Sequence, residues 1–190
     1  AKAANLQARG SRFLINGEPT DNRVALASKG SLRAVVRATG TMAHSAYPEL
    51  GDSATHKLVE VLHRILEIPL PSLDDVGPST LNIGMMSGGY APNVIADRAE
   101  AQVMVRLVGS SEETRRAIEK AAEGLATVDF TLEIRFRRLR SLPGLPTMVA
   151  AFTTDIPWLS NWGEPILLGP GSIHEAHTPH EKLAKRELLD

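Results

Sequence analysis

Three clusters of residues in this 190-residue chain have the types and spacing to do chemistry. The first is Gly17-Glu18-Pro19-Thr20-Asp21, which follows the short apolar run Phe13 to Asn16. A carboxylate at the carboxyl end of a buried strand lies where α/β sheets tend to bind ligands. Taken alone, the pentapeptide also reads as a turn whose Glu18 faces water. The second is Gly169-Pro170-Gly171-Ser172-Ile173-His174-Glu175-Ala176-His177-Thr178, a Gly-rich loop after the short strand Pro165 to Leu168. Imidazole is a common zinc ligand, so such a loop could turn a histidine inward. The plainer reading is a solvated surface loop. The third is His44 in Thr41-Met42-Ala43-His44-Ser45-Ala46-Tyr47-Pro48, in isolation an ordinary loop histidine. His56, His63 and His180 belong to no motif.

These loops need elements to carry them. Residues Ala1 to Gly10 read as the tail of a helix stopped by glycine. Ser31 to Thr39 alternates apolar and polar residues, the period of a strand. Ser53 to Leu66 has Leu58, Val61, Leu62 and Ile65 at helical spacing, with Asp52 or Ser53 as cap. Thr80 to Met86 and Ala99 to Leu107 read as strands, and Ser110 or Ser111 opens an amphipathic helix through Glu123. Phe130 to Arg138 alternates again. The order β-α-β-β-α-β predicts a ferredoxin-like sheet with two helices on one face and Ala99 to Leu107 in the interior of the sheet. After Ser141, Pro143, Gly144 and Pro146 form a linker. Thr147 to Phe152 is expected to start a helix, and Glu181 to Leu189 to start another.

The fold class is therefore mixed, α/β and α+β. A ferredoxin-like βαββαβ domain over residues 29–140 interrupts a second, incomplete α/β domain made of residues 1–28 and 141–190. Composition narrows the function. A net charge of -1 and 4% aromatics disfavour a nucleic-acid-binding sheet, which needs basic and stacking side chains. No apolar run is long enough to span a bilayer. With no cysteine there is no disulfide or thiol chemistry, which fits a reducing, cytoplasmic setting.

Together and in this order, the segments GEPTD from Gly17, KGSLR from Lys29, GTMAHSAYPELG from Gly40, GGYAPNVIADRAEAQVMVR from Gly88 and GPGSIHEAHTPHE from Gly169 resemble one family. It is the acetylornithine deacetylase, succinyl-diaminopimelate desuccinylase, aminoacylase and carboxypeptidase G family (metallopeptidase family 20). The resemblance implies an enzyme that hydrolyses an amide bond next to a free carboxylate, in an N-acyl amino acid or small peptide. Two divalent metals activate the water, zinc in the first place and cobalt or manganese as alternatives. It implies Glu18 as ligand of one metal and His177 of the other, with His174 as the fallback. His44 matches the lid histidine that reaches the partner subunit's active site and stabilises the oxyanion. Asn93 and Arg106 match lid positions near the substrate, Arg106 as a clamp on its carboxylate or else in a strand-end salt bridge. The backbone of Gly169, Gly171 and Ser172 would line the substrate pocket. A homodimer through the lid is implied as well.

The chain departs from the family at several points. The family's His-x-Asp ligands, bridging Asp and Glu-Glu pair, which precede GEPTD in family members, have no counterpart in this sequence. His180 stands where members often carry Asp. With one matched ligand left for each metal, the chain alone is expected to hydrolyse nothing and to retain no metal. The alternative is a dimerisation or lid module without chemistry of its own. Deacylases, carboxypeptidases and dipeptidases of the family share all the quoted motifs, so the substrate itself is not specified.

Overall fold

The computed structural model describes residues 1–189. In chain order its elements are α1 (Lys2–Asn5), β1 (Phe13–Asn16), β2 (Val24–Ser28), β3 (Gly30–Thr39), β4 (Ala43–His44), α2 (Ala54–Leu66), β5 (Ser72–Leu73), β6 (Gly77–Pro78), β7 (Thr80–Gly88), β8 (Val94–Ile95), β9 (Arg98–Leu107), α3 (Glu112–Ala122), β10 (Thr127–Ile134), β11 (Arg137–Arg138), β12 (Thr147–Ala150) and β13 (Glu164–Leu167). They fall into two compact units, residues 31–134 and the flanking residues 1–30 with 135–190.

The first unit is a four-stranded sheet in the order β10-β3-β9-β7. The period-two pattern explains its inner face. Leu32, Ala34, Val36 and Ala38 of β3 and Ala99, Ala101, Val103, Val105 and Leu107 of β9 are all buried. They pack with Leu58, Val61, Leu62 and Ile65 of α2 and Ile118, Ala121 and Ala122 of α3. Burying each of the larger side chains is worth roughly 1.5–3 kcal/mol. Ser53 opens α2, its Oγ accepting the His56 N–H at 3.3 Å. Ser111 stands at the start of α3 but turns its hydroxyl to Glu133 at 2.7 Å; Ser110 Oγ accepts the Glu112 N–H instead. The sheet has two edges. β10 carries Asp129 and Glu133, whereas β7 has no charged residue and leaves Met85 and Met86 exposed.

The flanking unit is thinner. β1 pairs in parallel with β13, and β2 lies between β11 (antiparallel) and β12 (parallel). Its buried cluster is Ala25, Ala150, Ile156 and Leu167. Four expectations change here. Thr147 to Phe152 opens a strand, not a helix, because Thr147 and Met148 pair with Val24 and Ala25 of β2, a strand the periodicity did not bring out. The alternating run Phe130 to Arg138 is two strands. β10 stops at Ile134, and Arg137 and Arg138 pair with Ser28 and Ala27, so residues 135–140 group with the flanking unit. The expected helix from Glu181 is only a 3-10 turn at Lys185–Leu188, since Glu181 is engaged in local turns with His177 and Thr178. Of the N-terminal helix only Lys2–Asn5 is helical.

Candidate functional site

The GEPTD and GPGSIHEAHT loops meet in the flanking unit. Leu168 N–H bonds to the Asn16 carbonyl at 3.1 Å, extending the β1–β13 pairing to the point where both loops leave it. Beyond that point, Thr20 and Gly169 lock the loops together. Thr20 N–H donates to the Gly169 carbonyl at 3.1 Å, and Gly169 N–H donates to Thr20 Oγ1 at 3.0 Å. A Cβ at Gly169 would lie 2.3 Å from the Gly17 carbonyl oxygen, so the close approach requires glycine. Gly17 and Pro19 on one loop, and Gly171, Ser172, Glu175 and Ala176 on the other, line one cavity of about 370 Å³.

Glu18 is half-buried, and its N–H is held by Asn16 Oδ1 at 3.2 Å. His177 is exposed and has left-handed backbone, φ 62°, with its N–H donated to Glu181 Oε2 at 2.8 Å. His174 is exposed, and its N–H reaches Ser172 Oγ at 3.4 Å. A carboxylate and an imidazole suit a divalent metal in kind. In number they fall short, because no three His, Cys, Asp or Glu side chains come together among the described residues. The pair fits as part of a donor set.

In the other unit, the short β4–β8 ladder brings His44 opposite Val94, and Ser45 N–H bonds to the Asn93 carbonyl at 2.9 Å. His44 and Asn93 are thus neighbours, both exposed, beside a cavity of about 480 Å³ lined by Ser45, Pro48, Tyr90 and Val94 among others. His44 Nδ1 accepts the Ala46 N–H at 3.1 Å. A neutral imidazole with Nδ1 as acceptor carries its proton on Nε2, so the outer nitrogen is a donor. Arg106 lies elsewhere. The β4–β8 ladder sits at the Arg98 end of β9, where Gly40 N–H meets the Asp97 carbonyl at 2.8 Å. Arg106 is at the other end, opposite Thr80, and the strand between Arg98 and Arg106 covers roughly 25 Å. One lid therefore does not bring His44 and Arg106 to one place.

Two further residues were not singled out from the sequence. Thr20 binds a partner 149 residues away, and spacing gives no sign of that. Glu181, four residues after His177, falls within the segment read as a helix.

A four-stranded sheet packed with two helices, interrupting a small α/β unit, also characterises known proteins similar to this chain. Residues 26–129, more than half of the chain, match the peptidase dimerisation domain. The chain belongs to peptidase family M20. It is 39% identical over 184 residues to a peptidase M20 domain-containing protein of Schizosaccharomyces pombe, covering 93% of this chain and 45% of that protein. To a probable carboxypeptidase of Ajellomyces capsulatus it is 36% identical, covering 92% of this chain and 46% of the relative. The chain thus spans about half the length of the curated relatives it matches. Among solved structures, aminopeptidase PepT from Bacillus cereus superposes with a TM-score of 0.76 at 18% identity, over 97% of this chain and 55% of that one. The dipeptidase Dug1p from Saccharomyces cerevisiae gives 0.71 at 12% identity, over 94% and 56%. At those identities the superpositions speak for the fold alone.

Proposed function

We propose that the chain is the lid-bearing half of a metal-dependent amidohydrolase that works as a homodimer on N-acyl amino acids or small peptides. The observation that carries this is the separation of His44 and Asn93 from Arg106 along β9. β7 is the uncharged, exposed edge of the sheet, the kind of strand that invites pairing. If β7 pairs antiparallel with the β7 of a second copy, the Gly88 end of one copy meets the Thr80 end of the other. Thr80 is the register partner of Arg106. Arg106 of one subunit and the β4–β8 loops bearing the partner's His44 and Asn93 then come to the same end of a joined sheet.

In that arrangement each side chain has a task. Arg106 holds the substrate carboxylate through paired, charge-assisted hydrogen bonds. His44 Nε2–H, oriented by the Ala46 contact, donates to the oxygen that becomes negative as the carbonyl is attacked. Asn93 supplies a second donor beside it. Glu18 and His177 would each hold one divalent metal, zinc first and cobalt or manganese as alternatives, and the bound metals would lower the pKa of the attacking water and polarise the carbonyl. Gly171 and Ser172 line the cavity between the two loops, and with the backbone of Gly169 they would bound the substrate. The absence of cysteine is compatible with a cytoplasmic setting.

The decisive experiment uses the full-length protein in two inactive variants, His44→Ala and Glu18→Ala. His44→Ala is expected to lower kcat at least about a hundredfold, as loss of an oxyanion donor does. Mixing and re-forming the dimers should restore activity, because a mixed dimer contains one site with an intact Glu18 and the partner's intact His44. No recovery in demonstrably mixed dimers would rule out the shared site. The 190-residue chain alone is expected to release nothing from N-acyl amino acids with zinc present; turnover there would contradict the half-site reading.

A further inference from the structure

The two loops of the flanking unit are held by a residue that carries none of their chemistry. Thr20 is 1% exposed, a buried hydroxyl in a loop. Buried hydroxyls need partners, and the Thr20 hydroxyl finds both of its partners on one residue, Gly169. Thr20 N–H and Oγ1–H both donate to the Gly169 carbonyl, at 3.1 and 3.2 Å, while Oγ1 accepts the Gly169 N–H at 3.0 Å. The next two residues continue the seam. Asp21 N–H reaches the Gly171 carbonyl at 2.8 Å and Asn22 N–H the Gly169 carbonyl at 3.1 Å. Both adopt positive φ, 53°, left-handed backbone that aspartate and asparagine tolerate best among non-glycine residues and that these bonds hold in place. On the facing side, a Cβ at Gly169 would stand 2.5 Å from the Glu18 carbonyl oxygen. The seam therefore fixes the backbone of Glu18 against the start of the loop that leads to His177.

We propose that Thr20 is a positioning residue: its hydroxyl sets the separation of the Glu18 and His177 loops so that both donors can serve one pair of divalent cations. This rests on the reading of Glu18 and His177 as metal donors. A valine at position 20 keeps the shape but leaves the Gly169 N–H without its acceptor; a serine keeps both bonds.

The test is an NMR titration of the ¹⁵N-labelled full-length protein, stripped of metal beforehand, with Mn²⁺, whose paramagnetism broadens nearby amides. Amides of residues 17–21 and 171–178 should broaden together with one midpoint in the wild-type protein. In Thr20→Val the midpoint should rise roughly tenfold or more, the usual consequence of removing a support behind a metal ligand. Thr20→Ser should restore the wild-type response. Thr20→Cys, of similar size and a weaker hydrogen-bonding group, serves if the valine variant does not fold. Broadening of both loops at the wild-type midpoint in a folded Val or Cys variant would overturn the role of Thr20 alone. No broadening of either loop in the wild-type full-length protein would overturn the metal-donor reading and the positioning role with it.

Discussion

Residues 31–134 and the residues flanking them are built on different terms. In the lid unit two amphipathic helices and two central strands bury a single cluster of seventeen residues, from Leu32 to Ala122. In the flanking unit four buried residues form the cluster, and short strand pairs with connecting loops make up the rest. The lid has enough apolar area to hold its sheet rigid, as the proposed role of His44 and Asn93 requires. The flanking unit relies on hydrogen bonds between loops, which contribute about 1 kcal/mol each and order only what they touch.

The largest effect that can test this contrast is a core deletion. Ile65→Ala removes a fully buried side chain from α2 and is expected to cost about 2–5 kcal/mol. The two regions have separate probes. The only tryptophans, Trp158 and Trp162, lie in the flanking unit, while α2 and α3, the two long helices among the described residues, lie in the lid. In denaturant, tryptophan fluorescence should change at a lower concentration than the helical circular dichroism. Ile65→Ala should move the dichroism midpoint down and close that gap. Coincident transitions in the wild-type chain would erase the distinction between a rigid and a yielding region.

A smaller effect tests the β7 edge. Met85→Lys puts a charge on a strand that has none, at a side chain that is 62% exposed. Such a charge is how natural edges resist pairing. The variant is expected to sediment as a monomer at concentrations where the wild-type chain is dimeric, with an unchanged dichroism midpoint. Thr131→Lys on the opposite edge, β10, should leave the dimer intact. A dimer that survives the first change and is lost with the second would assign the interface to the wrong edge.

The same contrast governs what could be read from the sequence. Lid elements were legible because each announces itself locally: Leu58, Val61, Leu62 and Ile65 at helical spacing, Ala99 to Leu107 at strand spacing, both buried as expected. β12 was not. Thr147 to Ala150 is a strand only because β2 lies beside it, and β2 itself is a five-residue run with no clean alternation. At the candidate site, the residue types were visible in their motifs, and the adjacency of His44 and Asn93 was not, since a two-residue ladder between distant loops makes it. Nor could the Thr20–Gly169 seam be read, for the same reason: both of its halves are short loops, and the bond that joins them is long-range.

The finest expected effect separates two serines that look alike in sequence. Ser53 and Ser111 both precede amphipathic helices, but only Ser53 Oγ accepts an N–H of the first turn. Ser53→Ala should therefore cost about 1 kcal/mol of lid stability, the usual loss for an N-cap. Ser111→Ala removes instead a hydroxyl donated to Glu133, which keeps its ion pair with Arg115 at 2.9 Å, so the carboxylate is not left unpaired. Its cost should be the smaller of the two, read as a difference in the dichroism midpoint of the two variants. Equal losses would mean that helix capping and strand-to-helix bonding contribute alike here, and that the lid's rigidity owes less to its helices than to the sheet beneath them.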